Sequence, residues 1–301
     1  MLSFPISLTA LPKQHGKVAI VTGGARGLGY AIVRQLAGLG MHVIIGRGYN
    51  DTLPQQLLLG RLNEKCLVSF VDLASLSSVR QFVCRFQAQG LPLHVLINNA
   101  AVMLVPEGKT DDGFELHFAT NYLGHFLLTR FLLDTLVHSG KDEACSRIIS
   151  ISSSAHYTAV RDIDQLQNCH YSAHGAYAHS KLAQVLFTYR LQQELQSSGC
   201  AVTASAVDPG VVDTHLYRNL STPARLAQRL IAHLLFRSPA QAAATAVYAA
   251  ASPELEGVGG CYLYEGKRVS SSALSYDVEL QAQLWRRSCS LLGLKSVTVL
   301  L

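Results

Sequence analysis

Short apolar runs alternate along the chain with longer stretches of helical periodicity. Six runs are rich in branched residues, which is typical of strands buried on both faces of a parallel sheet. They lie at residues 18–21, 42–45, 66–71, 95–97, 148–151 and 202–207, and the helical patterns between them lie at residues 30–39, 77–87, 120–138 and 177–197. Parallel strands joined by helices require right-handed crossover connections. The pattern therefore predicts an α/β fold: a doubly wound parallel sheet with helices on both faces.

The 301 residues fit one large domain of this kind. We expect an N-terminal arm at residues 1–16, a Rossmann-type catalytic domain at residues 17–264, and a C-terminal extension at residues 265–301 packed on that domain. A substrate lid is expected near residues 216–238. Hydrophobic residues make up 49% of the chain and charged residues 15%, which argues against global disorder.

The charge and cysteine patterns exclude several classes of function. The net charge of +5 comes from scattered lysines and arginines, so we expect no nucleic-acid partner. The seven cysteines form no C-x-x-C pair, which indicates reduced thiols. No apolar run is long enough to span a bilayer, and residues 1–17 lack the layout of a signal peptide. The cytoplasm and the membrane surface of the endoplasmic reticulum both stay open as locations.

A glycine-rich turn follows the first predicted strand. Residues 22–29 read TGGARGLG, and a helical pattern comes directly after them. Glycines at such a turn let the backbone approach a pyrophosphate, and the helix offers free N–H groups to it. A tight turn without a ligand would explain the glycines alone equally well, but their place between strand and helix favours a dinucleotide. The candidate contacts are Thr22, Gly23, Arg26, Gly27, Leu28 and Gly29.

Cofactor choice is determined at the end of the second strand. A carboxylate there would bind a ribose 2′-hydroxyl and repel a 2′-phosphate. This chain has Arg47 instead and no acid before Asp51. Both Arg47 and Arg26 suit a 2′-phosphate, which favours NADP and leaves NAD open. Two solvated surface arginines are the alternative interpretation.

Tyr177 and Lys181 are the candidate reaction pair. Four residues apart on a helix, they share one face. There the ammonium of Lys181 is expected to lower the phenol pKa of Tyr177 from its ordinary value of about 10. A phenol tuned in this way is a general acid or base for an alcohol–carbonyl pair.

Five segments in order resemble the short-chain dehydrogenase/reductase family. They are TGGARGLG at residues 22–29, NNAA at 98–101, RIISISS at 147–153, YAHSK at 177–181 and DPGVVDT at 208–214. Ala101 stands where glycine is usual. The resemblance covers nearly the whole chain, and it implies an NAD(P)-dependent oxidoreductase acting on CH–OH donors. It also implies further cofactor contacts from Asp72, Leu73, Asn99, Ala100, Tyr177, Lys181, Pro209, Gly210, Val212 and Thr214.

The same resemblance implies a catalytic set of Asn121, Ser153, Tyr177 and Lys181. Ser153 would bind the substrate oxygen, and Asn121 would anchor a water of the proton relay. Two alternatives stay open. Ser152 is the other candidate for the catalytic serine, and a helix residue with local hydrogen bonds is the alternative interpretation of Asn121.

The substrate side resembles the retinol-dehydrogenase-like branch of the family. The 23 residues between Ser153 and Tyr177 carry this resemblance. A closer resemblance, to one member of the branch, is carried by residues 92–100, 121–129, 207–212, 253–260 and 283–285. It implies a long apolar isoprenoid alcohol or aldehyde, specifically polyprenol and polyprenal on the route to dolichol. A retinal or steroid carbonyl reductase is the alternative enzyme. A catalytically inactive protein with the same fold, acting in binding or regulation, is the alternative outside enzymes.

Leucines recur at helical spacing within residues 216–238, among arginines. One interpretation is a basic amphipathic helix that contacts a membrane peripherally and admits a lipid. The other is an amphipathic helix packed on its own core. Homo-oligomer formation also stays open.

Three histidines near Cys169 raise the question of a metal. His170 and His174 lie between the predicted serine and tyrosine, and His179 comes two residues after the tyrosine, without a supporting carboxylate. Zinc ligands are more regularly spaced than this, so we expect no metal site.

Overall fold

The computed structural model describes residues 10–48, 65–141, 144–161, 171–212 and 237–295. In these ranges eight strands form one sheet, in the order β3-β2-β1-β4-β5-β6-β7-β8. The strands are β1 Val18–Thr22, β2 His42–Arg47, β3 Cys66–Phe70, β4 Val95–Asn98, β5 Ser146–Ile151, β6 Val202–Asp208, β7 Tyr262–Tyr264 and β8 Lys267–Arg268. All neighbouring pairs are parallel except β7 with β8. The predicted doubly wound parallel sheet is confirmed.

Helices cover both faces of this sheet. They are α1 Gly27–Gly38, α2 Leu76–Gln87, α3 Gly124–Ser139, α4 Ala173–Ser197, α5 Pro239–Ala251 and α6 Val278–Leu291. Four of them begin after a residue whose side chain accepts a hydrogen bond from a backbone N–H of the first turn. This bond satisfies one of the donors that have no partner within the helix. These N-cap residues are Ser75, Ser172, Ser238 and Asp277.

The two larger apolar cores of the described residues follow from this layering. One lies under α1 and α5, where the alanine-rich face of α5 lets the two helices pack closely. The other contains aromatic and leucine side chains of α2, α3, α4 and α6. The strand order reverses beside β1, between β1 and β4, and ligands of open α/β sheets bind outside the carboxyl ends of strands at such a point.

The structure differs from the predicted elements at one place that bears on the site. The predicted helix 120–138 is interrupted: residues Phe118–Leu123 form a π-helix, and α3 begins only at Gly124. Such wide turns are frequent at functional sites. In the described ranges, no helix is long and apolar enough to cross a membrane.

Candidate active site

The glycine-rich turn joins β1 to α1 at the carboxyl edge of the sheet. Gly23 has a φ of +64° and its N–H donates to Gly46 O at 2.8 Å. A Cβ on Gly23 would lie 2.9 Å from Ala100 Cα, and one on Gly29 would lie 2.2 Å from Gly23 O. Both contacts are too short for a methyl group, so the backbone path requires glycine at these two positions.

The beginning of α1 fits an anionic ligand. No side chain caps its first turn, and that turn contains no acidic residue. Its backbone N–H groups and the positive end of the helix dipole therefore face the turn without a competing carboxylate. Arg26 directly precedes this helix, and Leu28 packs against the core under it. The glycine-rich turn and the first turn of α1, residues 22–29, together form a cradle that suits the diphosphate of a dinucleotide.

Thr22 holds this cradle against the chain that follows β4. Its buried hydroxyl accepts hydrogen bonds from Asn99 N at 2.9 Å and Ala100 N at 3.0 Å. The side-chain amide of Asn99 donates in turn to Thr22 O at 2.8 Å. These bonds fix the ends of β1 and β4 against each other. The Thr22 side chain thus positions the loop.

The candidate adenosine end lies beyond β2 and β3. Arg47 is the last residue of β2 and is half-buried. Asp72 uses one carboxylate oxygen to accept from Ala74 N at 2.9 Å. Leu73 is buried, and its carbonyl packs so closely on Gly124 that a Cβ there would lie 2.4 Å away. All three residues lie on the same edge as the glycine-rich turn.

The turn after β6 is held by Asp208. One oxygen of this buried carboxylate accepts from Gly210 N at 2.8 Å, and the other accepts from Tyr262 Oη at 3.0 Å. Pro209 and Gly210 follow, with Gly210 at a φ of +74°. Val212 is buried and forms a parallel bridge with Arg237. Thr214 lies outside the described residues, as do residues 216–236 of the predicted lid and His170.

Tyr177 and Lys181 lie one turn apart near the start of α4, both buried. The ammonium of Lys181 is 5.7 Å from the centre of the Tyr177 ring. Lys181 Nζ donates to Ile151 O at 2.8 Å and to Gln184 Oε1 at 2.9 Å. Burial lowers the pKa of Lys181 to about 7, although the charge of Asp208 acts in the opposite direction.

The two candidate serines differ in their surroundings. Ser152 is almost fully buried, and its hydroxyl donates to Lys181 O at 3.3 Å. Ser153 is only half-buried and caps the short 3-10 helix Ser154–Thr158 by accepting from Ala155 N at 3.2 Å. The proton of the Ser153 hydroxyl has no partner in that contact, so it is available for a substrate oxygen. This geometry favours Ser153.

Asn121 lies inside the π-helix, buried beside α4. Its amide bonds both backbone groups of Val102, at 2.8 and 3.0 Å, and also donates to Ser180 Oγ at 2.9 Å. Ser180 Oγ in turn donates to Tyr177 O at 2.7 Å. Asn121 thus connects the chain after β4 with the helix that carries Tyr177.

Several residues near this centre escaped the sequence analysis. His125 contacts Asn121, four residues before it, and Gln184 contacts Lys181, three residues before it. That spacing was the available signal. His156 is buried and bonds Ser153 O at 2.7 Å. Buried His117 lies with its ring centre 6.4 Å from that of Tyr177.

Of the histidines considered for a metal, only His174 and His179 lie in the described residues. His179 Nε2 contacts the backbone of Val160. Over the ranges that the structure describes, no group of three or more His, Cys, Asp or Glu side chains is placed to hold a metal ion.

Known proteins with similar sequences identify the family of this chain. The family model of the short chain dehydrogenases matches residues 17–225. A polyprenol dehydrogenase of Danio rerio is 57% identical over 96% of this chain and 90% of its own length. A retinol dehydrogenase 12 of Mus musculus is 40% identical over 93% of this chain and 87% of its own.

A solved structure has the same fold as this chain. The crystal structure of an uncharacterised protein from Mycobacterium Paratuberculosis superposes with a TM-score of 0.78 and 30% identity, covering 97% of this chain and 99% of its own. Family model, relatives and fold all confirm the resemblance seen in the sequence. The chain therefore belongs to the short-chain dehydrogenase/reductase family, as an NAD(P)-dependent oxidoreductase that acts on CH–OH donors.

Proposed function

We propose that this enzyme interconverts polyprenol and polyprenal, long-chain isoprenoid compounds of the route to dolichol. The observation that carries the proposal is the Tyr177–Lys181 pair, buried on α4 where this helix packs against the 3-10 helix capped by Ser153, in a chain 57% identical to a polyprenol dehydrogenase. The pair supplies the chemistry of an alcohol–carbonyl couple, and the relative supplies the substrate class.

Tyr177 and Ser153 act on the substrate oxygen. In the oxidative direction the phenolate of Tyr177 removes the hydroxyl proton of the alcohol while a hydride leaves the carbinol carbon. Ser153 donates a hydrogen bond to the same oxygen and holds it against Tyr177. The bound nicotinamide ring supplies the hydride acceptor, or the donor in the reverse direction.

Lys181 and Asn121 support Tyr177. When protonated, Lys181 places a positive charge beside the ring in a site with little water, where a charge stabilises a phenolate more strongly than in bulk solvent. Its two acceptors, Ile151 O and Gln184 Oε1, fix the position of that charge. Asn121 orients α4 through Ser180, and we assign it the anchoring of a relay water.

The residues that would hold the dinucleotide follow the edge of the sheet. The diphosphate would lie against Gly23, Arg26, Gly27 and Gly29, the adenosine near Asp72 and Leu73, and the nicotinamide end near Asn99, Ala100, Pro209, Gly210 and Val212. Thr214, Leu28 and the backbone of Thr22 complete this set as sequence predictions.

Arg47 favours NADP over NAD. A guanidinium at the end of β2 suits a 2′-phosphate, and no carboxylate replaces it there. Arg47→Asp exchanges a charge-assisted hydrogen bond for a repulsion, which is worth about 2–4 kcal/mol. We expect the ratio of kcat/KM for NADPH to kcat/KM for NADH to fall by more than tenfold. An unchanged ratio would show that Arg47 is only a surface residue.

Retinal or a steroid is the second candidate substrate. The 40% identity to a retinol dehydrogenase over most of both chains favours retinal of the two. The same catalytic residues would serve, with a different pocket.

The test is a substrate panel with purified enzyme. Polyprenol, all-trans-retinol, a steroid alcohol and a short alcohol are each offered with NADP and with NAD, and kcat/KM is compared. We expect polyprenol with NADP to give the highest value. A higher value for retinol would establish the second candidate, and no turnover of any alcohol by folded, cofactor-binding protein would favour a non-enzymatic role.

A further inference from the structure

One buried histidine lies between the dinucleotide cradle and the reaction helix. His125 is the second residue of α3 and is almost fully buried. Its Nδ1 lies 2.9 Å from Asn121 O, and its Nε2 lies 2.8 Å from Thr22 Oγ1. The ring thus touches both halves of the site through two short polar contacts.

The partners determine which ring nitrogen carries the proton. A carbonyl oxygen can only accept, so Nδ1 must donate to Asn121 O. Burial lowers the pKa of His125 to about 4, so the ring is neutral near pH 7 and Nε2 has a lone pair. Nε2 therefore accepts, and the hydroxyl of Thr22 donates to it.

This assignment uses every hydrogen-bonding position of the Thr22 hydroxyl. Its proton goes to His125, and its two lone pairs accept from Asn99 N and Ala100 N. The carbonyl of Ile97, at 3.3 Å, is the more distant competitor for that proton. The orientation of the Thr22 hydroxyl therefore depends on His125. The positions of Asn99 and Ala100 depend on it as well, because their backbone N–H groups donate to this hydroxyl.

On the other side the network reaches Tyr177. Asn121 donates to Ser180 Oγ at 2.9 Å, and Ser180 donates to Tyr177 O at 2.7 Å. A continuous buried path thus runs from the turn that follows β1 to the backbone of the reacting residue. Buried polar networks in which each member is satisfied hold their groups in one arrangement.

We propose that His125 is a positioning residue that sets the placement of the dinucleotide cradle relative to Tyr177, by donating to Asn121 and accepting from Thr22. The inference rests on the proposed function of Tyr177. It assigns to His125 no contact with the substrate and no proton transfer.

The test compares three variants with the wild type. His125→Leu removes both bonds and keeps an apolar side chain of similar size. His125→Gln retains one donor and one acceptor on a single rigid amide. His138→Leu is the matched control, because His138 lies on the same helix and its Nδ1 bonds the carbonyl four residues earlier, Asp134 O at 2.6 Å, but on the exposed surface.

Three quantities are measured well below the melting temperature: the Kd of NADPH, kcat, and KM for whichever alcohol the wild type turns over best. For His125→Leu we expect the Kd to rise about tenfold and kcat to fall about tenfold, which is the effect of losing roughly one buried hydrogen bond in each. KM for the alcohol should change less than about twofold. His125→Gln and His138→Leu should stay within about threefold of the wild type in all three quantities.

Two results would overturn the proposal. One is a His125→Leu protein with a lowered melting temperature but wild-type Kd and kcat, which is the signature of a purely structural residue. The other is a His125→Gln protein as impaired as His125→Leu, since the hydrogen bonds would then be irrelevant.

The proposal stays testable even if one variant fails to fold. If His125→Leu does not fold, His125→Asn replaces it, because its shorter amide reaches Asn121 O but not Thr22. Its Kd for NADPH should exceed that of His125→Gln about tenfold, and equal values would contradict the proposal. The Kd of NADPH also separates this inference from the proposed function, because it is measurable even if no alcohol is turned over.

Discussion

The burial of Lys181 has a cost in stability. Burial lowers its pKa to about 7 in the folded protein, against an ordinary value of 10.5. The unfolded chain therefore holds a proton that the folded chain lacks between these two values. Stability contributed by this site is lowest below pH 7, where the buried ammonium is charged, and rises as the pH increases toward 10.

This pH dependence distinguishes Lys181→Met from the wild type. The free energy of unfolding of the wild type, minus that of the variant, should increase by up to a few kcal/mol from pH 7 to 10, at about 1.4 kcal/mol per pKa unit. Urea denaturation at several pH values measures it. Other titrating groups cancel in the difference, so a flat difference would contradict a depressed pKa at Lys181.

At the scale of elements, α6 completes the core over α3 and α4. Trp285 is buried there, with its ring centre 5.1 Å from that of Phe126 and stacked on Phe187 at 6.0 Å. Arg130 covers the indole at 5.2 Å, and Tyr122 Oη bonds Ser288 Oγ at 2.7 Å. These contacts make α6 part of the same packed unit as the helices that carry Asn121 and Tyr177.

Trp285→Ala should therefore destabilise the whole protein. Replacing a buried tryptophan by alanine typically costs about 3–5 kcal/mol. We expect a single thermal transition at a melting temperature lowered by several degrees. Val278→Ala on the same helix is the control, because Val278 is 57% exposed and should change stability by less than about 0.5 kcal/mol. A separate early transition for Trp285→Ala would show that α6 unfolds by itself.

At the scale of the whole molecule, the strands β1 to β6 and the four helices described between them were predictable from the sequence. Their apolar runs are short, branched and bounded by helical patterns, and this pattern survives in a single chain. The helices α5 and α6 and the strands β7 and β8 were not predicted. The strand β8 has two residues, and α5 is an alanine-rich segment whose position depends on packing against α1.

The candidate site was predictable wherever a local motif exists. The glycine-rich turn and the Tyr177–Lys181 pair are short, regular patterns with a physical meaning. His125 was not identified, because its importance comes from Thr22, about a hundred residues away, and from the π-helix that contains Asn121 and directly precedes α3. Such couplings depend on tertiary packing, which local spacing does not encode.

The central claim is that Tyr177 transfers the proton in an alcohol–carbonyl reaction on a long isoprenoid. The most direct test is the rate of polyprenol oxidation by Tyr177→Phe, with the Kd of NADPH measured on the same sample and Tyr248→Phe, an exposed hydroxyl of α5, as control. We predict a loss of about 10²–10⁴-fold in kcat for Tyr177→Phe with nearly unchanged cofactor affinity. The control should retain wild-type activity. Retention of more than about a third of the wild-type rate by Tyr177→Phe would contradict the account.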